Sequence, residues 1–571
     1  MKERITIIIA LLIGIGAGLL AVLFRSLVDL AEIVYQYVTR GLFTPIAGEW
    51  WFIFVPALAG LIVGPFIFYV AKEVKGTGVP DVMEAIALHG GKIRKRTILA
   101  KTFASATSIG GGGSVGAEGP IVQIGAGIGS LIGQLFKLNP KMIKTYVACG
   151  AAAGIAATFN TPITGVIFAQ EIILGEFASG AFILIVVSAV TAAAIAQLFL
   201  GTSPAFLVET YLLNSPIELF FYALLGIFAA LIALIFMKVL YKTEDIMNQI
   251  NTPEWFKPII GGLLVGIIGI KYPQVLGIGY STIEQIFQEG FLLPTLVMLV
   301  IIKIVATSIT LGSGHSGGIF GPSLFIGASL GGSVGAMMKS LFPAIVLQPG
   351  AYAIVGMGAM VAGVTQAPIT AVMMIFEMTQ DFAIILPLMI AVVFSTWIST
   401  YLSSENIFTL KLARKGIKLK AGHNVNILKE ITVVNVMTTP VEVVQEKDLV
   451  GNVIKMMHDS KHNGFPVVND NGELGGIITL QDIREAPVQG IMEKLVDQLM
   501  SKTLVVTFPN ETLDDVFQKL NDFDIGHLPV VEEGNEAKLL GIVTRSDVIK
   551  AYSRQKIKNS ENYLIFSKKV G

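Results

Sequence analysis

Gly116-Ala117-Glu118-Gly119-Pro120 lies near the centre of a Gly-rich, apolar stretch that runs from Thr102 to Phe136. Glu118 is the only charged side chain in that stretch. An ionisable residue inside a membrane costs at least about 2.5 kcal/mol, so one that is retained there indicates a functional site. We therefore predict that Glu118 lies on an ion path.

The composition of the whole chain also indicates a membrane protein. Of its 571 residues, 53% are hydrophobic and 14% are charged, whereas soluble domains carry about 25% charged residues. Uncharged runs of about 20 residues, long enough to cross a bilayer, recur up to Ser404, and charges become frequent after Glu405. The sequence predicts a polytopic α-helical membrane protein with a soluble α/β tail. The formal net charge of +0 gives no indication of a nucleic-acid partner.

These changes in composition divide the chain into segments. We expect a membrane domain over 1–415, a linker over 416–431, two soluble repeats over 432–490 and 491–553, and a tail over 554–571. The basic cluster between Lys92 and Arg96 marks a cytoplasmic loop by the positive-inside rule. The N-terminus and the soluble tail are expected on the same side, with the chain in the cell membrane.

The membrane part contains an internal duplication. Lys101 and Pro120 recur as Lys303 and Pro322, both 202 positions later (303 − 101 = 202). The glycines between them recur at the same offset: Gly110, Gly112, Gly116 and Gly119 as Gly312, Gly314, Gly318 and Gly321. Duplicated apolar segments that are interrupted by Gly and Pro are typical of transporters whose broken helices meet at a binding site near the bilayer midplane.

Both copies place a proline where a helix is expected to begin, in Gly119-Pro120 and Gly321-Pro322. Proline suits the first turn of a helix, and the exposed amides and partial positive charge of a helix N-terminus attract an anion. Two such N-termini that face each other predict an anion pathway. Close helix packing explains another set of glycines better: Gly125, Gly129, Gly331 and Gly335.

Four motifs resemble those of the CLC family of chloride channels and chloride/proton exchangers, in the family's order. They are Gly76-Thr77-Gly78-Val79-Pro80, Gly116–Pro120, Gly318–Pro322 and the segment Ser404–Arg414. The resemblance covers essentially the whole membrane part. It implies an inverted-repeat fold of many tilted and broken helices, a homodimer with one pore per protomer in membrane lipid, and chloride as substrate.

The resemblance also implies roles for single residues of the anion path. The backbone amides of Ile319 and Phe320 would hold a central chloride, together with the hydroxyl of Thr77. Gly78 and Gly119 belong to the same anion-binding segments. Oriented N–H and O–H donors suit a desolvated halide, because a full positive charge would trap it.

Glu118 resembles the family's gating glutamate. Its carboxylate would occupy an anion position when ionised and leave that position when protonated. Ala117 stands where the family commonly has Arg, so the local electrostatics around the gate are expected to differ.

Two departures from the family bear on proton coupling. Ile172 aligns with the proton-relay glutamate of the exchangers, and Ile cannot carry a proton; the neighbouring Glu171 is the alternative relay, although adjacent helix positions point about 100° apart. Phe408 aligns with a Tyr whose hydroxyl would donate to the central chloride. Both departures favour passive conduction over exchange.

The soluble tail contains a second duplication. Phe465-Pro466-Val467-Val468 matches Leu528-Pro529-Val530-Val531, 63 positions later (528 − 465 = 63). The repeat resembles a pair of cystathionine-β-synthase (CBS) domains, which implies a cleft for an adenine nucleotide. Asp482 and Asp547 would then contact the ribose, with Thr479 and Thr544 near the phosphates. The other interpretation, that each Asp caps its following helix, stays open.

The function predicted from these features is chloride transport through a pore gated by Glu118, with channel-like conduction favoured over proton-coupled antiport. A CBS-regulated divalent-cation transporter is a remote alternative, and it would need converging carboxylates. A nucleotide sensor with a membrane anchor leaves the duplication unexplained. No metal-ligand spacing and no Walker sequence is present, so we expect no metal, no required cofactor and no enzymatic activity.

Overall fold

The computed structural model describes residues 2–177, 179–206, 208, 211, 213–417, 428, 431–460, 462–486 and 490–552. The chain forms two compact units, Met1–Val425 and Asn426–Gly571. The expected tail 554–571 and most of the expected linker 416–431 lie outside the described residues.

In the described residues of the first unit, the α-helices form two successive sets of eight, followed by one short helix. The first set is α1 (Lys2–Ala47), α2 (Phe54–Pro65), α3 (Val79–Leu88), α4 (Arg96–Gly110), α5 (Glu118–Leu135), α6 (Pro140–Phe159), α7 (Pro162–Phe168) and α8 (Ser179–Leu200). The second is α9 (Glu218–Gln249), α10 (Lys257–Lys271), α11 (Tyr280–Phe287), α12 (Leu293–Gly312), α13 (Phe320–Leu341), α14 (Gly350–Thr365), α15 (Pro368–Thr379) and α16 (Ile385–Leu402), followed by α17 (Ile407–Arg414). The duplication seen in the sequence therefore extends over both sets, in the same order.

The helices of this unit have the dimensions of membrane spans. In the described part of the chain, eight helices are long and apolar enough to cross a membrane. The predicted polytopic helical architecture is confirmed. Short helices such as α3, α7 and α11 lie between the long ones, as expected for a membrane protein with interrupted helices.

Small residues allow equivalent helix pairs to cross at close range in the two sets. In the α5–α6 pair, a Cβ on Gly125 would collide with the carbonyl oxygen of Gly150, and one on Gly129 with that of Tyr146. In the α13–α14 pair, Gly331 lies in the same way against the carbonyl of Tyr352, and Gly335 against that of Pro349. The packing role predicted for these four glycines agrees with these contacts.

The second unit contains two similar α/β halves. The first half has β1 (Val444–Gln445), α18 (Val450–Ser460), β2 (Gly464–Val468), β3 (Leu474–Thr479) and α19 (Leu480–Glu485); the second has α20 (Leu513–Asp522), β4 (His527–Glu532), β5 (Asn535–Thr544) and a helical segment over 545–552. Strand β2 pairs parallel with β1 and antiparallel with β3, and β4 pairs antiparallel with β5. Each half has its own buried apolar core. The α/β tail predicted from the sequence is confirmed.

Candidate functional site

Two buried lysines hold two equivalent loops in the membrane unit. The ammonium group of Lys101 donates to the carbonyl oxygens of Val74 (3.0 Å) and Gly76 (2.7 Å). The ammonium of Lys303 donates to Val275 (3.0 Å) and Gly277 (2.9 Å). Both lysines have 0% of their surface exposed, so the carbonyl groups compensate for the loss of water around each charge. Each lysine therefore fixes the loop that precedes a short helix.

The N-terminal ends of α5 and α13 meet between these loops. Gly116 and Gly318, which precede the two helices, exchange backbone hydrogen bonds of 2.8 and 2.6 Å. A Cβ on Gly119 would collide with the carbonyl oxygen of Thr77 and would also lie close to Gly318. The fold thus brings Glu118, Thr77 and the Gly318–Pro322 segment together, although they are widely separated in the sequence.

Glu118 begins α5 and is completely buried. Its Oε2 accepts a hydrogen bond of 3.2 Å from the backbone N–H of Gly321, in the first turn of α13. Its Oε1 accepts one of 2.7 Å from the hydroxyl of Tyr280, the first residue of α11. A carboxylate therefore lies where the positive end of α13 favours an anion.

The backbone amides of Ile319 and Phe320, which are expected to hold a central anion, also lie at the N-terminus of α13. The first backbone N–H groups of a helix have no partner within the helix. None of the described residues accepts a backbone hydrogen bond from Ile319 or Phe320. Both side chains are buried, whereas Thr77 is half-buried. These donors are available to a bound anion.

Aromatic rings surround Phe320 on two sides. Its ring centroid lies 5.6 Å from that of Phe168 and 5.8 Å from that of Phe408. Phe408 is fully buried at the start of α17, where Asn406 accepts hydrogen bonds from the backbone N–H groups of Phe408 and Thr409 (both 2.9 Å). Phe408, which aligns with the Tyr expected to donate to the central chloride, therefore contacts Phe320, whose amide is expected to hold that ion.

Glu171 and Glu377 are equivalent positions of the two repeats (377 − 171 = 206), and each has hydrogen-bond partners in the opposite repeat. Glu171 accepts hydrogen bonds from the backbone N–H groups of Ile369 (3.2 Å) and Thr370 (2.7 Å), at the start of α15. Glu377 accepts the corresponding bonds from Ile163 (3.0 Å) and Thr164 (2.6 Å), at the start of α7.

Each glutamate thus accepts hydrogen bonds from the first backbone N–H groups of the helix in the other repeat, an arrangement we call the crossed caps. The crossed caps join α7 to α15 and give both carboxylates a structural role. Glu171, the alternative relay, is engaged in this structural pair, and Ile172 beside it is buried and apolar. His315 has a packing role as well, since its ring nitrogens lie 3.3 Å from the Ser108 hydroxyl and 3.0 Å from the Pro258 carbonyl oxygen.

In the soluble unit, the Asp and Thr residues singled out from the sequence pair with each other. Asp482 accepts hydrogen bonds from the backbone N–H (2.7 Å) and hydroxyl (2.6 Å) of Thr479. Asp547 accepts the same two bonds from Thr544 (3.0 and 2.7 Å). The alternative interpretation, in which Asp482 is the N-cap of its helix, is wrong: Thr479 is the N-cap of α19, and Asp482 is its capping-box partner three residues later.

His527 lies beside this pair in the second half. Burial lowers the pKa of His527, and the neighbouring His462 lowers it further, while Asp547 opposes both effects. A Cβ on Gly464 would lie against the His527 ring, and the two positions are repeat equivalents (527 − 464 = 63). Within the described residues, no group of three or more His, Cys, Asp or Glu side chains could hold a metal ion.

Reasoning from the sequence found neither the contact of Tyr280 with Glu118 nor the loop-holding roles of Lys101 and Lys303. The signal was present, because the duplication continues further towards the N-terminus at an offset of 201. Val74, Gly76 and Gly78 recur there as Val275, Gly277 and Gly279 (277 − 76 = 201). That alignment makes Tyr280 the equivalent of Val79 (280 − 79 = 201), directly after the counterpart of the Gly76–Gly78 loop.

Comparisons with known proteins agree with the geometry. The family model described as voltage gated chloride channel matches residues 59–400, and the CBS domain model matches 430–489 and 496–554. A putative chloride channel protein ClcB-like from Ralstonia nicotianae is 34% identical over 412 residues, covering 71% of this chain and 96% of that protein.

Solved structures resemble the chain as well. A slow cyanobacterial Cl⁻/H⁺ antiporter has a TM-score of 0.66 at 26% identity, covering 72% of this chain and 97% of that one. A eukaryotic CLC transporter also has a TM-score of 0.66; at 23% identity and with coverage of 96% of this chain and 98% of that one, it shows the fold of nearly the whole sequence.

Proposed function

Because this chain belongs to the voltage gated chloride channel family, the CLC family, and carries a pair of CBS domains, we propose that it transports chloride across a membrane through a pore gated by Glu118. The observation that carries this proposal is the position of the Glu118 carboxylate. It accepts a hydrogen bond from the Gly321 amide at the N-terminus of α13, so it occupies a place suited to an anion. Chloride would replace the carboxylate there when the side chain leaves.

The residues around this position suit a halide. The amides of Ile319 and Phe320 and the hydroxyl of Thr77 would bind a central chloride, and Gly78 and Gly119 allow the backbone to approach it. Phe408 would close the inner end of the path. The divalent-cation alternative would need converging carboxylates that strip water from the ion, and the described residues contain no group of three or more His, Cys, Asp or Glu side chains that could hold one.

We propose passive, channel-like conduction, with proton-coupled antiport as the alternative. Ile172 cannot relay a proton, and the Glu171 carboxylate already accepts hydrogen bonds at the start of α15. The similarity to an antiporter structure supports the alternative.

The deciding experiment measures chloride efflux and external pH together, with the purified protein in liposomes that carry a chloride gradient. We expect chloride efflux with little uphill proton movement. Protons driven uphill by the chloride gradient would exclude the channel proposal and leave chloride transport standing. Efflux of Mg²⁺ without chloride would exclude the proposed substrate.

Restoring the missing hydroxyl at the inner end tests the role of Phe408. Phe408→Tyr adds a donor for the central chloride. It should tighten chloride binding by up to about tenfold, because a hydrogen bond to a charge is worth about 1.5–3 kcal/mol and the desolvation of the added hydroxyl offsets part of that. Calorimetric titration of the purified protein with chloride measures the change. Phe382→Tyr is the matched control, since Phe382 is 76% exposed and should have no effect. An unchanged affinity in Phe408→Tyr would show that this side chain does not face the ion.

The remaining proposals rest on the family. We propose a homodimer with one pore in each protomer, in the cell membrane, with the N-terminus and the CBS domains in the cytoplasm. The CBS pair would bind an adenine nucleotide through Asp482 and Asp547, with Thr479 and Thr544 near its phosphates. In each pair one Asp oxygen accepts from the Thr. The second oxygen of Asp482 accepts from the Ser501 hydroxyl (3.1 Å), whereas none of the described residues donates to the second oxygen of Asp547, which would accept from a ribose hydroxyl.

A further inference from the structure

The shorter of the two hydrogen bonds that hold Glu118 comes from a side chain outside the four motifs. The Tyr280 hydroxyl donates to Oε1 at 2.7 Å, whereas the Gly321 amide donates to Oε2 at 3.2 Å. Among the described residues, Tyr280 is the only side chain that donates to this carboxylate. A neutral O–H donor to a carboxylate forms a strong, charge-assisted hydrogen bond. Leaving the anion position therefore requires Glu118 to break its bond with Tyr280.

Tyr280 is held in place from two directions. Its ring packs edge-on against Phe206, with centroids 5.6 Å apart and an angle of 88° between the ring planes. The loop just before it is fixed by Lys303, which donates to Val275 and Gly277 and also to Ile278 (3.3 Å). The Tyr280 hydroxyl is thus held in place by its own surroundings, so forming the hydrogen bond to Glu118 costs little additional conformational entropy.

The first repeat has an equivalent loop but no hydroxyl at the position of Tyr280. Lys101 holds the equivalent loop there, and that loop presents Thr77 to the anion path. The position equivalent to Tyr280 is Val79 (280 − 79 = 201), which has no polar group. One lysine-held loop therefore offers a hydroxyl to the anion site, and the other offers a hydroxyl to the gate.

We propose that Tyr280 is a positioning residue that latches the ionised Glu118 carboxylate in the anion site and thereby sets the external pH at which the pathway opens. This inference rests on the proposed gating role of Glu118. The other charged groups that act on the pair are Lys303 of α12, on Glu118, and Arg25 of α1, on Tyr280. Neither of them donates a hydrogen bond to the carboxylate within the described residues.

The test compares Tyr280→Phe with the wild type in proteoliposomes, over a series of external pH values. Phe keeps the ring and its packing on Phe206 but loses the donor, so the ionised gate is held less tightly. The pH of half-maximal chloride efflux should move upward by about one unit, and efflux at a fixed alkaline pH should rise by about tenfold. Tyr146→Phe is the matched control, because its hydroxyl donates to the carbonyl of Thr6 (3.5 Å) and it should leave the profile unchanged.

A second comparison separates a latch from a purely structural role. In the Glu118→Gln protein, adding Tyr280→Phe should change neither efflux nor its pH dependence, since the ionised partner is already absent. An equal change in both backgrounds, or an unchanged half-maximal pH in the single variant, would overturn the latch. If Glu118→Gln itself kept the full pH dependence, the gating role would fail instead, so the two failures can be told apart.

Discussion

Glu118→Gln should make chloride efflux nearly independent of external pH and keep it at the high level that the wild type reaches in acid. Gln has the shape of the protonated side chain and cannot become an anion, so it does not compete with chloride at the N-terminus of α13. The wild type should run faster as the pH falls, by up to about tenfold per pH unit, because one proton is bound when the gate leaves. Proteoliposome efflux at a series of external pH values measures both profiles.

The control for this prediction is Glu289→Gln, the same chemical change at an exposed ion pair with Lys339 (3.0 Å). It should retain the wild-type profile, because exposed ion pairs contribute little. A Glu118→Gln protein that still responded to pH like the wild type would show that another group is the sensor, with His315 the first to test.

Gly331→Ala should destabilise the membrane unit strongly. A Cβ at this position would collide with the carbonyl oxygen of Tyr352 and lie 2.9 Å from the Cα of Ala353, so α13 and α14 would have to move apart. Overpacking of this kind costs about 1–3 kcal/mol, and here the obstacle is backbone, which cannot rotate away. Thermal unfolding of the purified protein, and its yield as a monodisperse species, measure the loss.

Gly180→Ala is the matched control, because nothing lies within 4 Å of a Cβ built at that position of α8. Ala is favoured over Gly in helices by about 1 kcal/mol, so the control should be neutral or slightly stabilised. Equal stability of the two variants would mean that α13 and α14 do not cross at Gly331.

The candidate gate and the candidate anion path could be proposed from the sequence because their signals are local or strictly periodic. A single carboxylate in an apolar stretch, at Glu118, is costly enough to indicate function by itself. The 202-residue offset that relates Pro120 to Pro322 marks equivalent helix starts without any knowledge of the fold. The same reasoning identified the CBS pair and the membrane family, and the comparisons confirm both.

The tertiary structure alone decided which groups meet. Tyr280 and Glu118 are 162 positions apart, and the crossed caps of Glu171 and Glu377 join segments separated by about 200 residues. The repeat offset shows which residues are equivalent in the two repeats. Whether residues of different repeats form a hydrogen bond depends on how the helices pack where the two repeats meet. Equivalent positions can also differ in chemistry, as Val79 and Tyr280 do. The sequence by itself therefore determined the position of the proposed gate, Glu118, and only the packing of α5, α11 and α13 decided which groups hold its carboxylate.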